Sequence, residues 1–261
     1  MTRHLTIAAG VLLGLVLTGT TPATAERLVT SISRHQVLVN SSFTGTSIVL
    51  FGTIEPDTPT ARRRTGYDLI VTVTGPKQTI VERRKERMLG IWTNIGSRTF
   101  LNVPSYLGVL SNQPIEQITS ADTVRQFQLG LADKLLPQQL GNDVGDVARD
   151  DPFRANFIRL KTQHQLYLQK TNGVTLLTPT VFRAEIALPA EAPIGNYDVE
   201  VKVFADGALL TRASSAFEII KVGFEQFVAS AAQDYGLLYG LTTAMMAIMT
   251  GWFAAVVFRR D

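Results

Sequence analysis

The chain has 261 residues, 25 Lys+Arg against 22 Asp+Glu, and no cysteine. A balance this even speaks against a nucleic-acid partner, and the lack of thiols excludes disulfides, thiolate nucleophiles and Cys-based metal sites. Folding must rest on packing, in a chain long enough for one large domain or two small ones.

Residues 1–25 read as a secretory leader: Arg3, an apolar run over 5–17, and Ala23-Thr24-Ala25 as the small-residue cleavage site before Glu26. An uncleaved anchor is the alternative, but a 13-residue run is short for roughly 30 Å of hydrocarbon. Without Arg3 the mature chain carries 24 basic and 22 acidic groups, a net charge of +2.

From Glu26 to Pro76 the apolar period is two. Strands are expected at 28–33, 37–40, 46–54 and 67–74, each bounded by Gly, Pro, Asn or Asp. Ile48-Val49-Leu50-Phe51 is apolar on both faces, which predicts a central strand covered from two sides. Tyr67, Leu69, Val71 and Val73 alternate with Asp68 and Thr72, which predicts one wet side. Arg62-Arg63-Arg64 falls in a polar loop between them.

Glu82-Arg83-Arg84-Lys85-Glu86-Arg87 precedes Met88-Leu89-Gly90-Ile91-Trp92. Arg83, Arg84, Lys85 and Arg87 could bind an anionic ligand or lipid headgroups, because guanidinium presents a planar fork to phosphate, sulfonate or carboxylate. Trp92 could floor such a pocket or lie in the core. The plainer reading of the charges is a solvated strand.

Residues 111–173 read as a helical insert. Val124, Phe127, Leu131 and Leu135 recur at helical spacing after the capping candidates Ser120 and Asp122. Asp151 before Pro152 starts a second helix, with Phe153, Phe157, Leu160, His164 and Tyr167 on one face up to Asn172-Gly173. His164 is expected as a hydrogen-bonded core group. The insert either rides on one sandwich or forms its own subdomain.

Strands resume at 181–188, 197–204 and 209–220, with Asp206-Gly207 as a tight hairpin turn. Tyr197, Val199, Val201 and Val203 face one way; Asp198, Glu200 and Lys202 face the other. Gly195-Asn196-Tyr197 resembles the tyrosine corner of immunoglobulin-like sandwiches. The expected fold is therefore mainly β: an immunoglobulin-like antiparallel β-sandwich over 26–222 with a helical insertion.

After a juxtamembrane segment at 223–235, residues 236–258 carry no charge over 23 positions, about 35 Å of helix, enough to span a bilayer. A buried soluble helix is the alternative. Tyr235, Tyr239 and Trp252 sit towards the ends as interfacial aromatics do. Arg259 and Arg260 follow, so the positive-inside tendency places residues 259–261 in the cytoplasm and the body outside. Gly236, Gly240, Ala244, Ala247, Gly251 and Ala255 share one helix face, where small residues allow a membrane partner or a second copy to approach.

Catalytic signatures are sparse. After the leader, His35 and His164 are the remaining histidines, 129 positions apart, so no metal or other cofactor is expected. There is no Gly-x-Ser-x-Gly elbow, P-loop or dinucleotide fingerprint. Asp150-Asp151 reads as loop and cap.

Over residues 26–260 the chain resembles the alphaproteobacterial transmembrane protein family Alph_Pro_TM. The stretches that carry the resemblance are Ser42-Phe43-Thr44-Gly45-Thr46 with Leu50-Phe51-Gly52, then Arg84-Lys85-Glu86-Arg87 and Gly90-Ile91-Trp92. They continue through Phe157-Ile158-Arg159-Leu160-Lys161, Phe182-Arg183-Ala184 and Lys221-Val222-Gly223 to Val257-Phe258-Arg259-Arg260. The resemblance implies a Gram-negative inner-membrane protein facing the periplasm; with one anchoring helix and its small-residue face, a single-pass protein accessory to another membrane protein such as a transporter is expected. It transfers no catalytic residues. The functional expectation is a non-catalytic binding or assembly domain, and the competing one is an anchored enzyme or anion-binding protein working through residues 82–92.

Overall fold

The structure, a computed structural model, describes residues 26–55, 66–88, 90–140, 143–146, 149–223, 228 and 232–258. The expected leader, the Arg62-Arg63-Arg64 loop, Arg259-Arg260 and much of the juxtamembrane segment lie outside the described residues.

Two sheets enclose the main core. The first is antiparallel and contains β1 (Arg27–Ile32), β3 (Gly45–Glu55), β12 (Val181–Pro189) and β11 (Val174–Leu176), in that spatial order. The second runs β10 (Tyr167–Thr171), β7 (Leu107–Ser111), β4 (Asp68–Thr74), β13 (Gly195–Ala205), β14 (Ala208–Lys221), β2 (Gln36–Val39). The strands expected from two-residue alternation are present with ends shifted by one or two residues. Between the sheets, Ile48, Leu50, Ile54, Leu69, Val71, Val73, Phe182, Ile186, Tyr197, Val199, Val201 and Val203 interlock. Gly52 belongs to this packing: a methyl there would lie 2.3 Å from the Phe182 ring.

A wholly antiparallel sandwich is corrected in one respect, because both edges of the second sheet are parallel, β10 with β7 and β2 with β14. Parallel neighbours require a long crossover. The segment from β7 to β10 supplies one through helices, and the chain from β2 to β14 passes through the other sheet.

The two burial expectations exchange places. β3 is flanked on both sides by partner strands, yet its outer face is open, with Phe51 43% exposed. β4 is instead dry on both faces. Helices α1 (Ile115–Ile118) and α2 (Ala121–Phe127) fold back over the second sheet and cover Ile70, Val109 and Phe204 with Ile115, Ile118 and Leu129. The same cover dries the end of β13, where Lys202 is buried and paired with Glu200.

Asp206 and Gly207 take φ of 51° and 80°, the two left-handed residues of a type I′ turn, and close the β13–β14 hairpin as expected. Tyr197 donates its hydroxyl to the Pro193 carbonyl at 2.6 Å, the backward bond of a tyrosine corner.

The insert is less helical than its periodicity suggests. Ser120 caps α2 by accepting from the Thr123 amide, but the helix stops where Gln128 turns left-handed at φ 51°, short of Leu131 and Leu135. Short strands β8 (Gln138–Leu140) and β9 (Asp143–Gly145) follow. Helix α3 (Pro152–Gln163) begins as expected, with Asp151 accepting from the Arg154 amide. It ends before His164, not at Asn172-Gly173, because Gln165 turns left-handed at φ 57° and the chain enters sheet as β10.

A long hairpin unforeseen in its extent joins β5 (Lys77–Met88) to β6 (Ile91–Pro104). Only its base is supported: β8 pairs with β6 at Thr99 and Phe100, and Phe100 stacks on Phe157 of α3 with centroids 4.3 Å apart. Phe100, Val103, Leu107, Leu136, Phe157 and Tyr167 form a separate small core there.

Helix α4 (Gly236–Val257) has 22 residues, about 33 Å at 1.5 Å per residue, with mean hydropathy 1.6 and none of its side chains buried. Its length matches a hydrocarbon core of roughly 30 Å.

Candidate functional site

Strand register collects several features at one end of the sandwich. Thr74, the last residue of β4, pairs with both Leu107 and Asp198, and Gly195 pairs with Ile219 just before β14 ends at Lys221. The β5–β6 hairpin therefore springs from the end at which the chain departs towards α4. Pro76, at its root, lies against Gly195, with the proline ring 3.2 Å from where a Cβ would stand. The C-terminal end of α3 is here too, since Leu166 accepts from the Leu107 amide.

The candidate anion residues all fall on this hairpin. Arg84 lies 3.5 Å from Glu86, both side chains more than half exposed, and Arg87 donates through Nε to the Gly90 carbonyl at 3.3 Å. Lys85 is exposed with no pocket around it. Trp92 is neither core nor pocket floor: it is 67% exposed beside Ile91 at 68% and Met88 at 56%. Both expectations for Trp92 fail because β6 projects beyond the body, where nothing stands behind the ring. The register pairs Arg87 with Trp92 and Met88 with Ile91, so basic and apolar side chains share both faces of the ribbon near its turn.

Arg83 alone of that set lines a cleft, about 450 Å³, between the hairpin base and α3. Ile80, Phe157, Leu160 and Leu166 give it an apolar lining, and Glu82, Lys161, His164 and Glu191 add polar groups. Burial raises the Glu82 carboxyl to about 7, reinforced by the nearby Asp151 carboxylate and opposed by Arg159. Burial also lowers the Lys161 ammonium, which donates to the Ser105 carbonyl at 3.3 Å and lies 5.8 Å from the Phe157 ring centroid. His164 is not the expected core group: its side chain is 58% exposed and its Nδ1 lies 2.9 Å from Glu191. Since α3 ends at Gln163, the apolar face no longer reaches it. Sequence reasoning missed Glu82, Lys161 and Glu191 as companions, and no spacing could have joined them.

A second cavity, about 650 Å³, lies at the opposite end and is lined by Asp68, Gln113, Glu116, Asp206 and neighbouring backbone. Asp68 is already engaged by Gln113 at 2.6 Å and Asn112 at 3.1 Å. Among the described residues no cluster of three or more His, Asp or Glu side chains could hold a metal. The small-residue face of α4 is wholly exposed, with open space around Gly236, Gly240 and Gly251.

These features define a β-rich body and, among the described residues, one helix long and apolar enough to cross a membrane, near the C-terminal side. The chain matches the family described as "Putative transmembrane protein (Alph_Pro_TM)" over residues 27–260 and belongs to that family. No curated protein matches it. Among solved structures, the N-terminal domain of the Streptococcus gordonii adhesin Sgo0707 aligns with 74% of this chain at 8% identity and a TM-score of 0.28. The alignment spans about a third of that adhesin chain (32%), and a superposition of this score supports neither a common fold nor a common function.

Proposed function

We propose that the protein is a single-pass inner-membrane protein whose periplasmic body is a non-catalytic binding or assembly module, accessory to another membrane protein such as a transporter. The observation that carries this reading is the gathering of the hairpin, the cleft and the chain's exit towards α4 at one end of the sandwich. In this reading the hairpin and the cleft stand beside whatever shares the bilayer with the helix. The small residues from Gly236 to Ala255 give a membrane partner a face on which to pack closely.

The test is photocrosslinking in native membranes from positions on the α4 face and on the hairpin. A discrete adduct with one membrane protein, weakened by Gly240→Leu with Gly251→Leu, is expected. Adducts to lipid alone, from every position, would remove the reading. Orientation is checked separately by a reporter fused after Asp261, which should be active on the cytoplasmic side.

A second reading, an anchored enzyme or anion-binding protein, is favoured by Glu82 and Arg83 lining the cleft. Against it, Arg84 and Arg87 stand in solvent rather than in a pocket. A saturable shift in the His164 imidazole resonances on adding small organic anions, abolished by Arg83→Gln, would favour it.

A further inference from the structure

We propose that the tip of the β5–β6 hairpin docks on the anionic phospholipid surface of the bilayer in which the chain's own helix is anchored. This goes beyond the accessory role and does not depend on it, requiring only that the helix span a membrane.

Three observations converge. First, the ribbon continues past its supported base: β8 reaches only Thr99 and Phe100, and the strands run on to Met88 and Ile91. Helix α3 also holds Arg98 and Gly96 through Asp151 and Phe153, so beyond the Arg84–Gly96 pair roughly four residues per strand at about 3.3 Å each give an unsupported arm of about 13 Å. Second, the composition of that arm suits a headgroup region. Met88, Ile91 and Trp92 are exposed around the turn, and Arg84, Lys85 and Arg87 stand behind them against a single acid, Glu86. Tryptophan partitions to the polar boundary of a bilayer, and the stems of Arg and Lys let their charges meet phosphates while their methylenes lie lower. Third, the arm starts from the end of the sandwich that the tether leaves. Residues 222–235 can span at most about 50 Å when fully extended. A basic, apolar-tipped arm is thus held permanently within reach of the surface it complements. Apolar side chains on both faces at the turn favour entry tip first, with charges remaining at headgroup level.

The bulge between Arg84 and Lys85, where Ile95 has no opposite partner, marks where the ribbon can bend relative to its base.

The sequence contains two tryptophans, Trp92 and Trp252. Trp252→Phe in the full chain leaves Trp92 as the sole emitter, and the variant is placed in nanodiscs of phosphatidylcholine with or without an equal part of phosphatidylglycerol. Expected with phosphatidylglycerol are a blue-shifted Trp92 emission and quenching by brominated acyl chains, both reversed by high salt. Arg84→Gln with Arg87→Gln should weaken docking by about 25-fold, at about fivefold for each basic group near an anionic surface. Water-like, unquenched emission in anionic discs would overturn the proposal. Equal quenching in neutral discs, or in the double variant with unchanged circular dichroism, would overturn its electrostatic basis. Shielding of Trp92 only when other membrane proteins are present would assign the tip to a protein instead. Loss of the accessory role leaves the nanodisc outcomes unaffected, because they are read on the purified chain.

Discussion

Arg154 is the most consequential single side chain for the cleft. Its guanidinium is buried, with the side chain 3% exposed, 2.6 Å from the Asp146 carboxylate, and it donates to the Ala132 and Lys134 carbonyls at 3.1 and 2.6 Å. One group on α3 thus holds the whole return from α2 to β9 against the helix that forms a cleft wall. Arg154→Met keeps the stem and deletes the charge. Removing one partner of a buried pair costs about 3–5 kcal/mol, chiefly through the charge left behind. Asp146 is 27% exposed and retains the Leu136 amide at 3.2 Å, so it can rehydrate. The two carbonyls lose their donors. A cost near the lower limit, about 3 kcal/mol, is expected, and Asp146→Asn, which still accepts from the guanidinium but leaves that buried charge without its counter-charge, should cost a similar amount. Urea unfolding of the detergent-solubilised full chain, followed by far-UV circular dichroism, measures both. Hydrogen exchange should locate the lost protection at residues 128–146. A change below about 1 kcal/mol for Arg154→Met, or protection lost evenly across both sheets, would refute the assignment of this residue as the tie.

Other substitutions test the remaining geometry. Because the Glu82 pKa rises from 4.5 to about 7 on folding, the unfolded chain ionises first, and wild-type stability falls as pH rises from about 4.5 to 7. Glu82→Gln should flatten that fall; after discounting for solvent around a half-exposed group, it should gain about 1–2 kcal/mol at pH 8 and nothing at pH 4, read from melting temperatures at each pH. Tyr197→Phe deprives the Pro193 carbonyl of its donor and should cost about 1–2 kcal/mol in the same urea assay. Gly52→Ala places a methyl 2.3 Å from the fully buried Phe182 ring and 3.0 Å from the Val29 carbonyl, an overpacking worth about 1–3 kcal/mol, whereas Gly90→Ala at the hairpin turn meets no atom and strains only its φ of 86°.

Much of the sandwich was legible in the sequence because burial there follows a two-residue period: Val199, Val201 and Val203 go inward whatever covers the other face. The covering itself was not legible. Nothing in Ile70 or Phe204 distinguishes a second dry face from scattered surface apolar residues until α1 and α2 fold over them. The β5–β6 ribbon was legible only as a solvated strand around Glu82 to Arg87: it is wet on both sides, so no apolar alternation marks its length or its pairing with β6. β10 was absorbed into a helix because Tyr167 sits three residues after His164, and a left-handed Gln165 leaves no mark in composition. Of the candidate basic residues, Arg83 reached the cleft and the others did not. That division depends on the strand twist and on α3, not on the charge run. Glu82, Lys161 and Glu191 are joined only by tertiary structure.

The placement of β14 has a mechanical consequence. A pull on the anchor enters the folded body at Lys221, where β14 is bonded on one flank to β13 and on the other to β2. Tension directed along that strand is shared by every rung from Gly195–Ile219 to Ala205–Ala208 at once, rather than peeling them singly. A pull along the strand therefore meets a shear geometry, with β2 acting as a clamp at the point where the load arrives.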